Sequence, residues 1–361
     1  MVRNIYFYLP NLDSINTSQE DFLDRLNTYG EAVYKASRGQ IAEITLITRR
    51  TSHQSRPRVK VFSLNSMLLK RFGSVQKLLR ASSNQVTLIS GNNFSALLFC
   101  LTQRVLIPQI KVQASLHGKL ELIMNESGLR GLVKRLFLKA LIPRVDSLRL
   151  VDASEIDAVI NEFGLSGSQL LVAPVPVAMP KSVDLFSKER PRTIGFVGRL
   201  HQERGVEEWG VICRNVASLE PLSLLHIIGV GPSQDLLVSL LSSSNVKVKF
   251  WGHLQQAELE NVWREIGVLL VCSKSESYGM ASREALIHGV PVVARENSAS
   301  RLLCDLAPTL VRTYKTIEQA SELIIHSLKS DYSATSFDNF LHYLRKEQED
   351  YLDHLAHSWL N

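Results

Sequence analysis

The chain has 361 residues, 45% of them hydrophobic and 21% charged, with a net charge of +6. That length suits two medium domains, each with a core of its own. No apolar run approaches the roughly 18–20 residues needed to cross a bilayer, which excludes a membrane-spanning role. The basic balance fits a phosphorylated substrate, an anionic lipid or a nucleic acid without choosing among them. The four cysteines, Cys100, Cys213, Cys272 and Cys304, form no close pair and lie in apolar stretches, as free thiols in a reducing compartment do.

The first residues, Met1 to Pro10, read as a short strand too polar for a signal peptide, so a cytoplasmic protein is expected. Further strands are predicted over 43–48, 86–90, 111–116, 147–151 and 170–173, the first strand itself covering 4–9. Helical patterns fall between most of them, for example over 19–37 and 94–103. A proline-rich boundary follows at 174–192. The alternation then restarts with strands over 193–197, 222–228, 246–250, 268–272, 290–294 and 309–311, and the chain closes on a polar helical pattern over 337–359. Repeated strand–helix alternation implies parallel sheets covered on both faces. The expected fold class is α/β, with two Rossmann-like doubly wound domains and a ligand cleft between them. Residues 1–175 form the first domain, 176–192 a linker, 193–335 the second domain, and 336–361 a helix packing back toward the first.

Two segments of the second half carry chemistry. After the strand at 193–197 come Gly198, Arg199 and, one loop later, Arg204 and Gly205. Gly198 allows a sharp turn. Two arginines five residues apart on one loop can converge on a single anion, and guanidinium binds phosphate oxygens in bidentate fashion. The start of the next helix adds its positive dipole end. A diphosphate leaving group needs such a clamp, because its negative charge grows as the bond breaks. The alternative is a solvated loop with two unrelated arginines. A second turn, Gly229-Val230-Gly231, follows the next strand.

The other segment runs from Cys272. Glu276 lies in a loop, Gly279 permits a tight backbone, and a helix is expected to start near Ser282 with Glu284 in its first turn. The amides of Gly279, Met280 and Ala281 can then point at an anion, and a carboxylate can grip two ribose hydroxyls. A helix-start glutamate favoured by the dipole is the simpler account of Glu284 alone.

Taken in order, Gly198-Arg199-Leu200 with Arg204-Gly205, the Gly229/Gly231 turn, Phe250-Trp251-Gly252-His253, and Glu276 through Glu284 to Gly289-Val290-Pro291 resemble the group 1 (family 4) glycosyltransferases of GT-B fold. The resemblance covers 190–295 well. It covers the first half loosely, through Ser115-Leu116-His117-Gly118 and Pro174-Val175-Pro176-Val177. It implies that Arg199 and Arg204 bind the diphosphate, that Glu284 binds ribose, and that Glu276, Tyr278 and the amides of Gly279, Met280 and Ala281 hold the sugar and the distal phosphate. Gly252 and His253 would border the base, with Gly198, Gly229 and Gly231 shaping the donor site. His117 would stand near the transferred sugar, where it would orient that sugar or stabilise its developing positive charge. Two departures are visible. Arginine stands at 204 where the family usually has lysine, and the family's paired glycines after the first strand are replaced by Pro10-Asn11-Leu12-Asp13-Ser14, leaving Asn11 and Asp13 as acceptor-side candidates.

The resemblance implies a retaining transfer of a hexose from a nucleotide diphosphate sugar, UDP-glucose by default, to a saccharide or lipid-linked acceptor in surface or exopolysaccharide assembly. Catalysis would fall to His117, Glu276, Arg199 and Arg204. No cofactor is expected beyond the nucleotide sugar as co-substrate. No metal is expected either, since the chain lacks an Asp-x-Asp triplet and clustered histidines. Nucleic acid is not an expected partner, because the basic residues are dispersed and not interleaved with aromatics. The basic amphipathic stretch 129–144 admits two readings. It lies on an anionic membrane, at the inner face where lipid-linked acceptors reside, or it is an ordinary surface helix with its apolar side on the sheet. A degenerate carbohydrate-binding subunit and a sugar-nucleotide epimerase are the alternatives to a transferase.

Overall fold

The computed structural model describes residues 2–9, 19–49, 55–64, 68–90, 94–116, 120, 124, 128–173, 177, 179, 191–242, 244–330 and 333–360. Two compact units emerge: Met1–Pro174 together with Gln348–Asn361, and Val175–Glu347.

In the first unit β1 (Arg3–Tyr8), β2 (Ile41–Thr48), β3 (Val59–Ser63), β4 (Gln85–Ser90), β5 (Lys111–Leu116), β6 (Ser147–Leu150) and β7 (Leu170–Val172) form one sheet in the order β3-β2-β1-β4-β5-β6-β7. All its neighbouring strands are parallel. Side chains alternate across each strand. Along β1, Tyr6 and Tyr8 enter the cluster on one face, with Leu88, Leu97 and Val112. Ile5 enters the cluster on the other face, with Leu23, Leu26 and Ile44. That second cluster is completed from the far end of the chain by Tyr351, Leu355, Ala356 and Trp359 of the helix Ala334–Leu360. The Thr87 hydroxyl donates to the Trp359 carbonyl at 2.9 Å. Burial of a large side chain such as Trp359 is worth about 2–3 kcal/mol.

In the second unit β8 (Thr193–Val197), β9 (Leu224–Ile228), β10 (Val248–Gly252), β11 (Val268–Val271), β12 (Val292–Arg295) and β13 (Val311–Tyr314) form a parallel sheet in the order β10-β9-β8-β11-β12-β13. Both orders are those of doubly wound α/β sheets, the expected fold class. The core packs Ile194, Phe196, Leu225, Ile227, Val268 and Leu270 against Trp209, Cys213 and Ile324 from the covering helices.

Two expectations need correction. β3 was not foreseen: it is a short edge strand with one fully buried residue, Val59, behind Arg56 and Pro57, and so lacks the apolar run of the inner strands. The helix expected from Ser282 begins at Met280, capped by Gly279 in the left-handed region (φ 73°), which moves Glu284 into the second turn.

The loops after β8 and β9 meet backbone to backbone. Gly229 has φ 128°. A Cβ built on it would lie 1.9 Å from the Gly198 carbonyl oxygen. Gly252, by contrast, has φ 68° with open space where a Cβ would go. Gly252→Ala is therefore expected to cost about 1–2 kcal/mol through the backbone alone. Gly229→Ala should cost at least about 3 kcal/mol, because two loops must separate. Urea unfolding of the two variants checks the ranking.

His288 follows the helix Met280–Ile287 and stacks on Trp263, ring centroids 6.1 Å apart. A helix carboxyl end ordinarily favours imidazolium. Here burial outweighs that, and with the Arg264 guanidinium it holds the His288 pKa down from 6.5 to about 4. Between those values the unfolded chain binds more protons than the folded one. Stability from this group is thus complete above pH 6.5 and declines as the pH falls toward 4. His288→Gln should flatten the acid-side slope of the urea midpoint against pH across that window.

Candidate functional site

The strand order of the second unit defines one special place. From β8 the chain moves outward through β9 to β10, then returns to β11 on the other side of β8. The loops leaving the carboxyl ends of β8 and β11 therefore diverge to opposite faces, and a crevice opens between them. The first loop, 198–205, leads into the helix Val206–Leu219; the second, 272–279, leads into Met280–Ile287. Each helix is capped by a left-handed glycine, Gly205 or Gly279, rather than by a side chain. The first-turn amides of both helices are left without an intrahelical acceptor. Gly205 rests directly on the end of β11, where a Cβ would meet the Cys272 carbonyl oxygen at 2.4 Å.

The neighbouring turns are tied by their backbones. The Gly198 amide donates to the Ile228 carbonyl at 3.0 Å, the Leu200 amide to Val230 at 3.0 Å, and the Gly229 amide to Gly252 at 2.7 Å. Gly198, Gly229, Gly231 and Gly252 thus lie along one seam, with His253 exposed beyond it. Behind the seam Trp251 donates its indole N–H to His226 Nδ1 at 3.2 Å, and burial lowers the His226 pKa.

Across the crevice the Arg204 guanidinium binds the Glu276 carboxylate. Arg199 binds Glu203, one helical turn along the same loop. Each arginine gives its carboxylate a single terminal nitrogen, and the Arg204 Nε is buried with no partner among the described residues. A guanidinium carries five N–H donors, so both retain capacity for an incoming oxyanion. Glu203 escaped the sequence reading, although its spacing of four from Arg199 is a readable signal.

The loop 272–279 is held from behind. Tyr278 is 6% exposed and donates its hydroxyl to Glu347 on the helix Ala334–Leu360. Arg283, 2% exposed, lies 3.8 Å over the Tyr278 ring, donates to the Tyr278 carbonyl at 3.1 Å, and reaches Glu347 at 3.4 Å. Tyr343 donates to the other oxygen of Glu347 at 3.1 Å. Burial raises the Tyr278 pKa; Arg283 opposes that shift and Glu347 adds to it. Both the ring face and the hydroxyl of Tyr278 are thus engaged within the protein, whereas the resemblance implied a contact with the donor. On the far side Glu208, in the first turn of Val206–Leu219, accepts from the Tyr314 hydroxyl at 2.8 Å and binds Arg295. The ion pairs Arg283–Glu347 and Arg295–Glu208 and the Tyr314–Glu208 bond had no local signal, since they close over 64 to 106 residues.

The structure brings together Gly198, Arg199, Arg204, Glu276 and Gly279 with the half-buried Met280, Ala281 and Glu284 around the β8/β11 crossing. His117, just beyond β5, and Asn11 and Asp13, beyond β1, lie outside the described residues.

Residues 181–340 match the model of a family described as Glycosyl transferases group 1. The chain is 28% identical over 159 residues to a glycogen synthase of Mycobacterium tuberculosis, a match that takes in 42% of this chain and 38% of that protein. The chain thus matches well under two thirds of that relative's length. Its fold resembles the sucrose-phosphate synthase of Thermosynechococcus elongatus, with a TM-score of 0.74, 14% identity, and 97% and 96% of the two chains covered. It also resembles a S. aureus TarM mutant in complex with fondaparinux, alpha-GlcNAc-glycerol and UDP, with a TM-score of 0.63, 15% identity, and 80% and 57% covered.

Removing the carboxylate that anchors the second loop leaves a buried guanidinium unpaired. Glu347→Ala is expected to cost on the order of 3 kcal/mol, and Tyr278→Phe only about 1 kcal/mol. Denaturant unfolding of the two variants measures both.

Proposed function

We propose that this chain, whose residues 181–340 match the model of the glycosyl transferases group 1, is a metal-independent, retaining glycosyltransferase moving a hexose from a nucleotide diphosphate sugar to a saccharide or lipid-linked acceptor. The observation that carries the reading is the meeting of Arg204 and Glu276 across the β8/β11 crossing, between two helix amino termini. In this scheme Arg199 and Arg204 bind the diphosphate and stabilise the charge that grows on it as the sugar departs. The amides of Met280 and Ala281 take the distal phosphate. Glu284 accepts from the ribose hydroxyls, Glu276 from the sugar hydroxyls, and the Gly252–His253 turn borders the base.

Diphosphate entry changes the partners of Arg204. Its free N–H donors take phosphate oxygens while Glu276 turns toward the sugar. The arginines do the work that a divalent cation does elsewhere, so no metal is required. The acceptor attacks on the face from which the diphosphate leaves, and the departing phosphate oxygen takes the acceptor's proton. His117 orients the sugar or stabilises its developing positive charge. UDP-glucose is the donor favoured, and the UDP and GlcNAc-glycerol bound by the TarM relative support a uridine base and a saccharide partner. The setting proposed is cytoplasmic assembly of surface or exopolysaccharide.

Calorimetric titration with UDP, GDP, ADP and dTDP tests the site. Micromolar binding of UDP is expected, unchanged by EDTA and weakened about tenfold or more by Arg204→Ala, since a charge-assisted hydrogen bond is worth about 1.5–3 kcal/mol. Glu284→Ala should weaken UDP and leave free diphosphate unaffected. Turnover should give a product of retained anomeric configuration by NMR. Binding of none of the four nucleotides would favour a degenerate carbohydrate-binding subunit, and conversion of the nucleotide sugar without an acceptor would favour an epimerase.

A further inference from the structure

The helix Gly128–Leu141 of the first unit is amphipathic in an unusual sense. Its residues 129, 132, 133, 136 and 137 follow the spacing that ordinarily marks the core-facing side of a helix. Here that side faces solvent: Leu129 is 77% exposed and Leu136 60%, and Leu132, Val133 and Phe137 are exposed as well. The helix meets the core through other residues, with Leu141 buried and Leu138 packed against the same cluster. The neighbouring helix Phe94–Leu106 touches it through Phe94, whose ring centroid lies 4.7 Å from that of Phe137. That helix also exposes apolar side chains, with Val105 at 77% and Leu98 and Leu106 both above two fifths. Isolated exposed leucines are ordinary; a full helical stripe of them is not.

The charged residues of the segment itself have one sign. Between Glu126 and Asp146 there is no acidic residue, while Arg130, Lys134, Arg135, Lys139 and Arg144 are basic. Lys139 pairs with Glu162 at 2.8 Å from outside the segment and still keeps half its side chain exposed. Among the described residues no helix is long and apolar enough to cross a membrane. A short helix with an exposed apolar stripe, basic flanks and no acids fits the boundary between lipid headgroups and acyl chains, where the stripe is buried and the cations meet anionic headgroups. A second copy of the chain suits the stripe less well. Two-fold pairing would set basic segment against basic segment.

We propose that the outward face of Gly128–Leu141 docks the protein on an anionic lipid bilayer, lying in the headgroup region without crossing it. The inference is independent of the donor site in the second unit. Flotation of the full chain with phosphatidylcholine vesicles, and with vesicles of phosphatidylcholine and phosphatidylglycerol in equal parts, tests it. The wild type should float with the anionic vesicles at low salt, lose most of that binding at high salt, and stay with the bulk in the zwitterionic sample. Leu129→Ser with Leu136→Ser should lower the partition coefficient roughly tenfold or more, because two exposed apolar side chains no longer enter the lipid. Both positions are exposed, so the double variant should keep the wild-type urea midpoint and nucleotide binding. Failure of the wild type to float with anionic vesicles at low salt would overturn the proposal, as would equal flotation of the double variant. Wild-type dimers that dissociate in the double variant, with no flotation of either, would assign the face to self-association instead.

Discussion

The arrangement at the β8/β11 crossing depends on backbones that touch with no side chain between them. The Gly229 amide meets the Gly252 carbonyl at 2.7 Å, and the backbones at Gly205 and Cys272 lie so close that a Cβ on Gly205 would stand 2.4 Å from the Cys272 oxygen. Buried peptide groups must find partners, and here the partners belong to neighbouring loops rather than to water. That requirement fixes where each loop ends. It sets the distance over which Arg204 reaches Glu276 and the places where the two helices begin. The charged residues act on a frame that the glycines make possible.

A second layer of restraint lies behind the first. Tyr278, Arg283, Tyr343 and Glu347 hold the loop 272–279, and Glu208, Arg295 and Tyr314 hold the start of the helix Val206–Leu219. Each cluster pairs a buried arginine or tyrosine with a carboxylate from a distant segment. Such a pair is strongly destabilising when half of it is removed, so it fixes geometry more than it adds net stability. At the site itself the Arg204 Nε has no partner among the described residues, as a group that must take a ligand requires.

Local pattern carried much of this architecture and stopped at definite points. The inner strands were legible because strands covered on both faces are short apolar runs; Thr193–Val197 was read to the residue. The edge strand β3 was not, because a half-exposed strand has a weaker pattern. The arginines and glutamates of the crevice could be read because each follows a strand and a glycine. The pairing of Arg204 with Glu276 and of Arg283 with Glu347 could not, since both close over more than 60 residues. The stretch 129–144 marks another limit. Periodicity shows that a helix has an apolar side; only the packing of Leu138 and Leu141 against the core shows that this side points away from it.

The helix Ala334–Leu360 begins with the second unit, and its last turns serve the first. Tyr351, Leu355 and Trp359 fill the cluster around Ile5, Leu26 and Ile44, and Gln113 donates to the Ser358 carbonyl at 3.3 Å. Synthesis on the ribosome runs in the other direction. When the strands β1 to β7 have emerged, Leu23, Leu26 and Val33 of the helix Gln19–Ala36 cover part of one face of their sheet, and that cover stays incomplete until nearly two hundred more residues have been added. The second unit has no such debt to a distant segment. The unit translated first is therefore the unit completed last, and the interval between is when an incompletely covered apolar face is open to chaperones or to wrong partners.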